Sequence, residues 1–387
     1  MKLAFCLFGY FPYGGLERDF LRIAKLCCAR GHSVHVFTMK WEGEIPPEFK
    51  VTLIPVNSLT NHGNCSSFAR RVAPFLKKGE FDVVVGFNRM PGLDIYYAAD
   101  VCYEASVRKD GRFWYRMTPR YRVYSALERA VFGVEVETHI FLISEREKAN
   151  FIDYYDTPES RFHLLPPGIA EDRVAPDNAA EIRAAVRREY QLGDDQHLLL
   201  LVASNYKRKG IDRSLLALAS LPEELRRNAF LFVIGRDKAK PWQRMARRLG
   251  VSRQLLCLGP RSDVSRFLLG ADVLLHPAYS GENTGTVLLE ALASGLPVLA
   301  TEVCGYAFHI KRAGAGRLVP SPYRQEVLNK HLERMLSSGQ RTHWGHRGLA
   351  YSRETDLFSL VERAVGVIED LGSRCGRFSV RGGVSSS

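Results

Sequence analysis

The sequence predicts an α/β fold in two successive halves, each built from parallel βαβ units. Three observations carry this expectation. Short apolar runs of strand length alternate with amphipathic stretches of helix length along the chain. At 387 residues the chain is long enough for two ordinary domains. The turn Pro166-Pro167-Gly168 interrupts the alternation near the middle, where a chain changes direction between compact units.

In order, Leu3–Phe8 reads as a buried strand, Tyr10–Gly15 as a loop and Leu16–Ala29 as a helix, with Gly31 placed to end it. Ser33–Thr38, Asp82–Phe87, Ile95–Ala99 and His139–Ile143 read as further strands. Ser144 follows as an N-cap for a helix opening at Glu145. Phe162–Leu165 closes the first half. In the second half, strands are expected at His197–Ala203, Phe230–Ile234, Leu255–Leu258, Val273–His276 and Val298–Thr301. Helices fit Arg213–Ser220, Trp242–Leu249, Val264–Leu269, Thr286–Ser294 and Val327–Leu336. A last helix, Asp356–Leu371, spaces Leu357, Leu360, Val361, Val365 and Ile368 along one face. The expected organisation is residues 1–166, residues 167–355, a terminal helix over 356–372 and a disordered Gly/Ser/Arg tail over 373–387.

Composition excludes several classes. Hydrophobic residues at 46% and charged residues at 25% describe a folded globular chain. No apolar run reaches the roughly 18 residues of a membrane-spanning helix. The apolar start is broken by Gly9, Pro12 and Gly14-Gly15, so it reads as a strand rather than a signal peptide. The eight cysteines form no C-x-x-C pair and no zinc spacing; buried free thiols suit a reducing cytoplasm. The net charge of +12 points to an anionic partner. Within residues 101–130, Arg108, Lys109, Arg112, Arg116, Arg120, Arg122 and Arg129 interleave with Phe113, Trp114, Tyr115, Tyr121 and Tyr124, a pattern suited to an anionic membrane interface. A solvated basic helix face would look similar.

The stretch Pro277–Val298 carries the clearest chemistry. Glu282 falls in a loop before a helix and Glu290 about two turns into it. Thr284 and Gly285 lie between them, a small pair able to cap the helix and admit a ligand to its backbone. The N–H groups of that first turn, with the helix dipole, favour an anion such as phosphate. Arg208 and Lys209 follow the strand His197–Ala203, at the carboxyl edge where open α/β sheets bind ligands. Paired cations there would neutralise charge on a departing diphosphate. Asp100 ends a strand, where it can orient or deprotonate a hydroxyl. Asp19 lies in the first turn of a helix, where the dipole favours a carboxylate in any case. His62 ranks below both. No Asp-x-Asp occurs, so the expectation is that cations and helix N–H groups, not a metal, hold the phosphates.

Glu282 and Glu290 match the E-x7-E pattern of retaining glycosyltransferases with two facing Rossmann-like domains, the GT-B fold. Gly14-Gly15, Pro166-Pro167-Gly168-Ile169 and Arg208-Lys209-Gly210 occur in that group's order. More narrowly, Phe11–Phe20, Trp41-Glu42-Gly43, Gly86–Asp94 and Ala99–Cys102 resemble the lipopolysaccharide core glucosyltransferase I family, heptose α-1,3-glucosyltransferases of glycosyltransferase family 4. The resemblance extends from end to end. It implies a C-terminal helix that crosses back to the first domain. It also implies transfer of an α-hexose, with retention and without metal, from a UDP-sugar to the inner-core heptose of lipid-anchored oligosaccharide at the cytoplasmic leaflet. Glu290 would receive the ribose hydroxyls, Glu282 the hexose, and the backbone of Asn283, Thr284, Gly285 and Thr286 would face phosphate and sugar. Gly15 would approach the diphosphate, and Arg173 and Arg261 match further donor positions. UDP-glucose is the implied donor. Asn283-Thr284 stands where well-known members carry small residues, so a UDP-N-acetylhexosamine stays open. A polyprenyl-linked acceptor stays open too. The rival from another class is a non-enzymatic binder of anionic surfaces or nucleic acid.

Overall fold

The computed structural model describes residues 1–380 apart from 13, 78, 110, 112, 280 and 281. It divides into two compact units, residues 1–166 with 359–387, and residues 167–358.

Unit 1 is a seven-stranded parallel sheet: β1 (Lys2–Leu7), β2 (Ser33–Thr38), β3 (Phe49–Leu53), β4 (Val83–Gly86), β5 (Ile95–Ala98), β6 (His139–Leu142) and β7 (Phe162–Leu164). The strand order is β3-β2-β1-β4-β5-β6-β7. Its helices are α1 (Gly15–Ala29), α2 (Asn61–Val72), α3 (Tyr103–Lys109), α4 (Pro119–Phe132) and α5 (Lys148–Tyr155). β1 is buried throughout after Lys2 because both faces are covered. One face packs Phe5 and Leu7 against Phe20 and Ile23 of α1, and the other packs Ala4 and Cys6 against Phe68 and Phe37.

Unit 2 holds α6 (Ala179–Glu189) and a six-stranded parallel sheet of β8 (His197–Val202), β9 (Ala229–Ile234), β10 (Leu255–Gly259), β11 (Val273–His276), β12 (Val298–Thr301) and β13 (Gly316–Val319). The order is β10-β9-β8-β11-β12-β13. Interspersed are α7 (Ile211–Ala219), α8 (Glu223–Arg227), α9 (Lys240–Arg248), α10 (Val264–Gly270), α11 (Thr286–Ala293), α12 (Ala307–Ala313), α13 (Gln325–Ser337) and α14 (Arg341–Glu354). Both sheets share the doubly wound order of a Rossmann-like domain, reversing direction beside the first strand.

The sequence expectation names every strand except β3 and β13. Phe49-Lys50-Val51-Thr52-Leu53 alternates apolar and polar residues at a sheet edge, and Gly316-Arg317-Leu318-Val319 mixes a glycine and a cation, so neither shows a continuous apolar run. Two expectations at the C-terminus need correction. The last helix, α15 (Leu360–Val380), starts four residues after the expected Asp356, and Leu357 packs in the unit 2 core. It also continues through Ser373 to Val380 where a disordered tail was expected; residues 381–387 lie outside the described residues. At the start of the continuation Ser373 Oγ donates to Glu369 O at 2.8 Å, and the adjacent Gly372 packs so close to Met1 and Val83 that a side chain there would collide with them.

Leu360, Val361, Ala364, Val365 and Ile368 of α15 join the unit 1 core beside α1. At the rim Glu369 bonds Arg30 at 2.7 Å and His32 at 2.9 Å. Ile368 is fully buried, so Ile368→Ala is expected to cost about 2–5 kcal/mol of unit 1 stability. Glu369→Gln, at a part-exposed ion pair, should cost under about 1 kcal/mol in the same denaturant titration.

Candidate functional site

In unit 2, β8 and β11 are neighbours, with Val273 opposite Leu199. From β8 the chain returns to β9 on one side; from β11 it returns to β12 on the other. Their C-terminal ends therefore form the point where strand order reverses, the position at which open α/β sheets hold ligands. The loop after β8 carries Arg208 and Lys209, and the loop after β11 carries Glu282 to Gly285.

Several contacts bind these two loops together. Tyr279 N–H donates to Arg208 O at 2.9 Å. Gly210, at φ +82°, lies so near Pro277 that an added Cβ would sit 2.1 Å from its carbonyl oxygen. Arg213, at the start of α7, donates to Pro277 O at 3.1 Å and Ala278 O at 2.8 Å. Its guanidinium lies between the rings of Tyr279 (3.6 Å) and Tyr323 (3.5 Å). Asp212 accepts from Lys207 Nζ and Tyr279 Oη, both at 2.5 Å.

Inside this frame Lys209 Nζ and Glu282 Oε2 form a buried ion pair, with side chains only 11% and 8% exposed. Burial alone would push the Glu282 carboxyl up; Lys209, then His276 and Arg208, outweigh it and hold the group below its ordinary range. His276, the last residue of β11, is fully buried with neither ring nitrogen hydrogen-bonded. Burial, reinforced by Lys209, lowers its pKa to about 3, so the ring is neutral. Arg208 is exposed and has no ion-pair partner among the described residues.

α11 begins with Gly285 in the left-handed region at φ +83°, and no side chain caps it. Of the expected capping pair, Gly285 holds the N-cap position without a side-chain bond, while the Thr284 carbonyl accepts from Tyr306 N–H at 2.7 Å and the Glu282 carbonyl from Gly305 N–H at 3.0 Å. Those bonds fix the loop while leaving the first-turn N–H groups without a side-chain acceptor. Asn283 and Glu290 are buried, at 6% and 5% exposure; because Thr286 opens α11, Glu290 lies just over one turn into the helix rather than the expected two. Gly281 lies outside the described residues.

Two expected donor arginines are placed differently. Arg173 is pinned near the C-terminal end of α11, its carbonyl accepting from Ser294 Oγ at 2.9 Å. Its Nε pairs with Asp172 Oδ1 at 3.4 Å, and its buried Nη1 has no hydrogen-bond partner among the described residues. Arg261 follows the edge strand β10 and is engaged by Asp263 at 2.7 and 2.8 Å, with its guanidinium over Phe267. That engagement gives Arg261 an intramolecular role the sequence did not suggest.

Unit 1 shows a comparable gathering at the carboxyl ends of β1 and β5. Gly15 opens α1 and is exposed. Asp19 accepts from Tyr97 Oη at 2.8 Å, and Asp100 is exposed just beyond β5. Glu17, which the sequence reading passed over, is buried. Burial pushes its carboxyl up to about 7, opposed first by a backbone hydrogen bond; the charges of Asp100 and Asp19 add smaller upward pushes and Lys40 a smaller downward one. His62, in the first turn of α2, meets Thr60 Oγ1 at 3.3 Å and the Tyr124 ring, apart from these acids in sequence and partner. Cys6, Cys27, Cys28, Cys65, Cys102, Cys257 and Cys304 are free thiols. Glu17 and Arg213 escaped sequence reasoning because each looks ordinary in its stretch; His276, a lone polar residue ending the apolar run Val273–Leu275, carried a legible signal that was passed over.

The chain matches two family descriptions, Glycosyl transferases group 1 over residues 182–349 and Glycosyltransferase Family 4 over residues 13–173. It is 46% identical over 369 residues to the lipopolysaccharide glucosyltransferase WaaG of Escherichia coli K12, covering 95% of this chain and 98% of that protein. A crystal structure of WaaG, described as a glycosyltransferase involved in lipopolysaccharide biosynthesis, superimposes with a TM-score of 0.91 over 95% of this chain and 99% of that one. A more distant structure, Anabaena Alr3699/HepE in complex with UDP and glucose, is 17% identical with a TM-score of 0.72 over 96% of this chain and 100% of that one, a likeness of fold alone.

Two outcomes test this geometry. Gly210→Ala is expected to lose about 2–3 kcal/mol, from positive φ and the Pro277 carbonyl, whereas Gly285→Ala should lose only about 1 kcal/mol; thermal unfolding separates them. The unfolded chain binds a proton at His276 below its ordinary 6.5, while the folded chain leaves it neutral down to about 3. Stability from this group is therefore lost as pH falls below 6.5, by about 2 kcal/mol at pH 5, and His276→Gln should remove that component of a pH-resolved denaturation series.

Proposed function

The chain belongs to the lipopolysaccharide glucosyltransferase family, a GT-B glycosyltransferase of lipopolysaccharide core synthesis, and from that membership we propose transfer of an α-glucosyl unit, with retention, from UDP-glucose to an inner-core heptose. The observation that carries this reading is the buried Lys209–Glu282 pair at the reversal point of unit 2, beside a helix start that no side chain caps. A hexose over Glu282 offers hydroxyl donors to a carboxylate already held charged. Lys209 and Arg208 offer cations to the diphosphate, and the first-turn N–H groups of α11 add further donors. Glu290 suits the ribose and Arg173, whose buried Nη1 is left without a hydrogen bond, a phosphate oxygen. The cationic charge available makes a divalent ion unnecessary to the proposed step.

In that step the bond from the sugar's anomeric carbon to the phosphate oxygen breaks, its electron pair leaving with UDP. The acceptor hydroxyl oxygen bonds the same face of the sugar, and its proton passes to the departing phosphate oxygen. Asp100 orients the hydroxyl, with Asp19 and Glu17 nearby as a carboxyl group whose charge falls as its neighbours ionise. UDP-N-acetylhexosamine is the second donor to test, because the buried Asn283 stands beside Glu282.

The acceptor's lipid anchor places the reaction at the cytoplasmic leaflet, and residues 101–130 suit that surface. Phe113, Trp114 and Met117 are 76%, 64% and 68% exposed. Lys109, Arg120 and Arg122 are exposed around them, whereas Arg108 and Arg116 turn to Glu104. Arg112 lies outside the described residues. No described helix is long and apolar enough to cross a membrane.

Incubation with UDP-glucose and heptose-ended lipopolysaccharide in EDTA is expected to give a hexose mass increment on the acceptor; no increment with either UDP-sugar would contradict the reading. Lys209→Ala should lower kcat by roughly 100- to 1,000-fold. Replacing Trp114, Arg120 and Arg122 together by serine should weaken sedimentation with anionic vesicles by about tenfold or more and leave turnover of a soluble truncated acceptor in place.

A further inference from the structure

Asp100 stands on a segment whose backbone is held in an unusual way. Arg89, from the loop after β4, donates through Nη2 to Val101 O at 2.7 Å and toward Asp100 O at 3.4 Å. Through Nη1 it pairs with Glu128 Oε1 at 2.8 Å, and Glu128, on α4, is fully buried. The same carboxylate accepts the N–H groups of Tyr103 at 2.8 Å and Glu104 at 3.0 Å, and the Tyr155 hydroxyl at 2.5 Å. Glu147 Oε2 accepts the Cys102 N–H at 2.9 Å. Carbonyls 100 and 101 and N–H groups 102 to 104 therefore all end on three charged side chains.

A helix start needs much less than this. One Ser, Thr, Asn or Asp caps a first turn by accepting one of its orphan N–H groups, and water can take the others, without burying an ion. Burying a guanidinium and a carboxylate carries a desolvation cost that a well-packed apolar pair would avoid, so the arrangement is poorly explained by stability. It does fix position: residues 100–104 cannot shift without leaving a buried charge unpaired.

We infer that Glu128 and Arg89 are positioning residues for acceptor transfer, holding the 100–104 backbone so that Asp100 meets the acceptor hydroxyl. The inference rests on the reading of Asp100 given above. Because Glu128 belongs to α4, the helix of the basic aromatic segment, the acceptor-side geometry is built from the same element that faces the lipid surface in that reading.

The test compares Glu128→Gln, Arg89→Lys and Asp100→Asn with the parent protein. It measures transfer to heptose-ended lipopolysaccharide, calorimetric affinity for UDP and the unfolding temperature. Displacement of the Asp100 backbone should lower transfer kcat/KM on the order of 10- to 100-fold in Glu128→Gln and Arg89→Lys, while UDP affinity stays within about twofold. Arg89→Lys keeps the charge but loses the forked reach to two partners, and it decides the matter if Glu128→Gln does not fold. Parallel loss of transfer and UDP affinity would overturn the inference, as would unchanged transfer in both variants while Asp100→Asn is impaired. If Asp100→Asn transfers like the parent, the reading of Asp100 falls and the inference with it.

Discussion

The buried pairing of Lys209 with Glu282 is the constraint on which the candidate donor site depends. Neither charge is tolerable at that depth alone, so each loop needs the other. The pair exists because the sheet reverses order between β8 and β11, sending the two following loops apart and leaving their carboxyl-end starts adjacent. Gly210, Arg213 and Tyr279 then hold the loops at the separation the pair requires. A ligand that offers an anion to Lys209 and hydroxyls to Glu282 replaces one set of compensations with another.

Unit 1 uses the same sheet order for a different chemical end. Its carboxyl edge gathers acids rather than an ion pair: Asp19 bonded to Tyr97, Glu17 buried with a raised pKa, and Asp100 on a backbone fixed by Arg89 and Glu128. The carboxyl edge of unit 2 thus gathers cations around a carboxylate, while that of unit 1 gathers acids.

Much of this was legible in the sequence because it rests on local patterns. Buried parallel strands are continuous apolar runs, and loop residues such as Arg208, Lys209 and Glu282 follow those runs directly. β3 and β13 were missed because edge strands lack that signature. The pairing of Lys209 with Glu282 depends on strand order, which no local window contains. Glu128 and Arg89 are thirty-nine positions apart in the numbering, and only the packing of α4 under the 100–104 segment shows that Glu128 is not one more charge on a basic helix. At Arg261 the sequence did not show the bond to Asp263 two residues away.

The central claim is that donor binding takes over the roles Lys209 and Glu282 serve for each other. A double-mutant cycle over Lys209→Met and Glu282→Gln, read by unfolding with and without saturating UDP-glucose, tests it most directly. A coupling of about 1–3 kcal/mol is expected in the unliganded protein, shrinking substantially when the donor is bound. An unchanged coupling, or stabilisation by UDP-glucose that is equal in all four proteins, would contradict it.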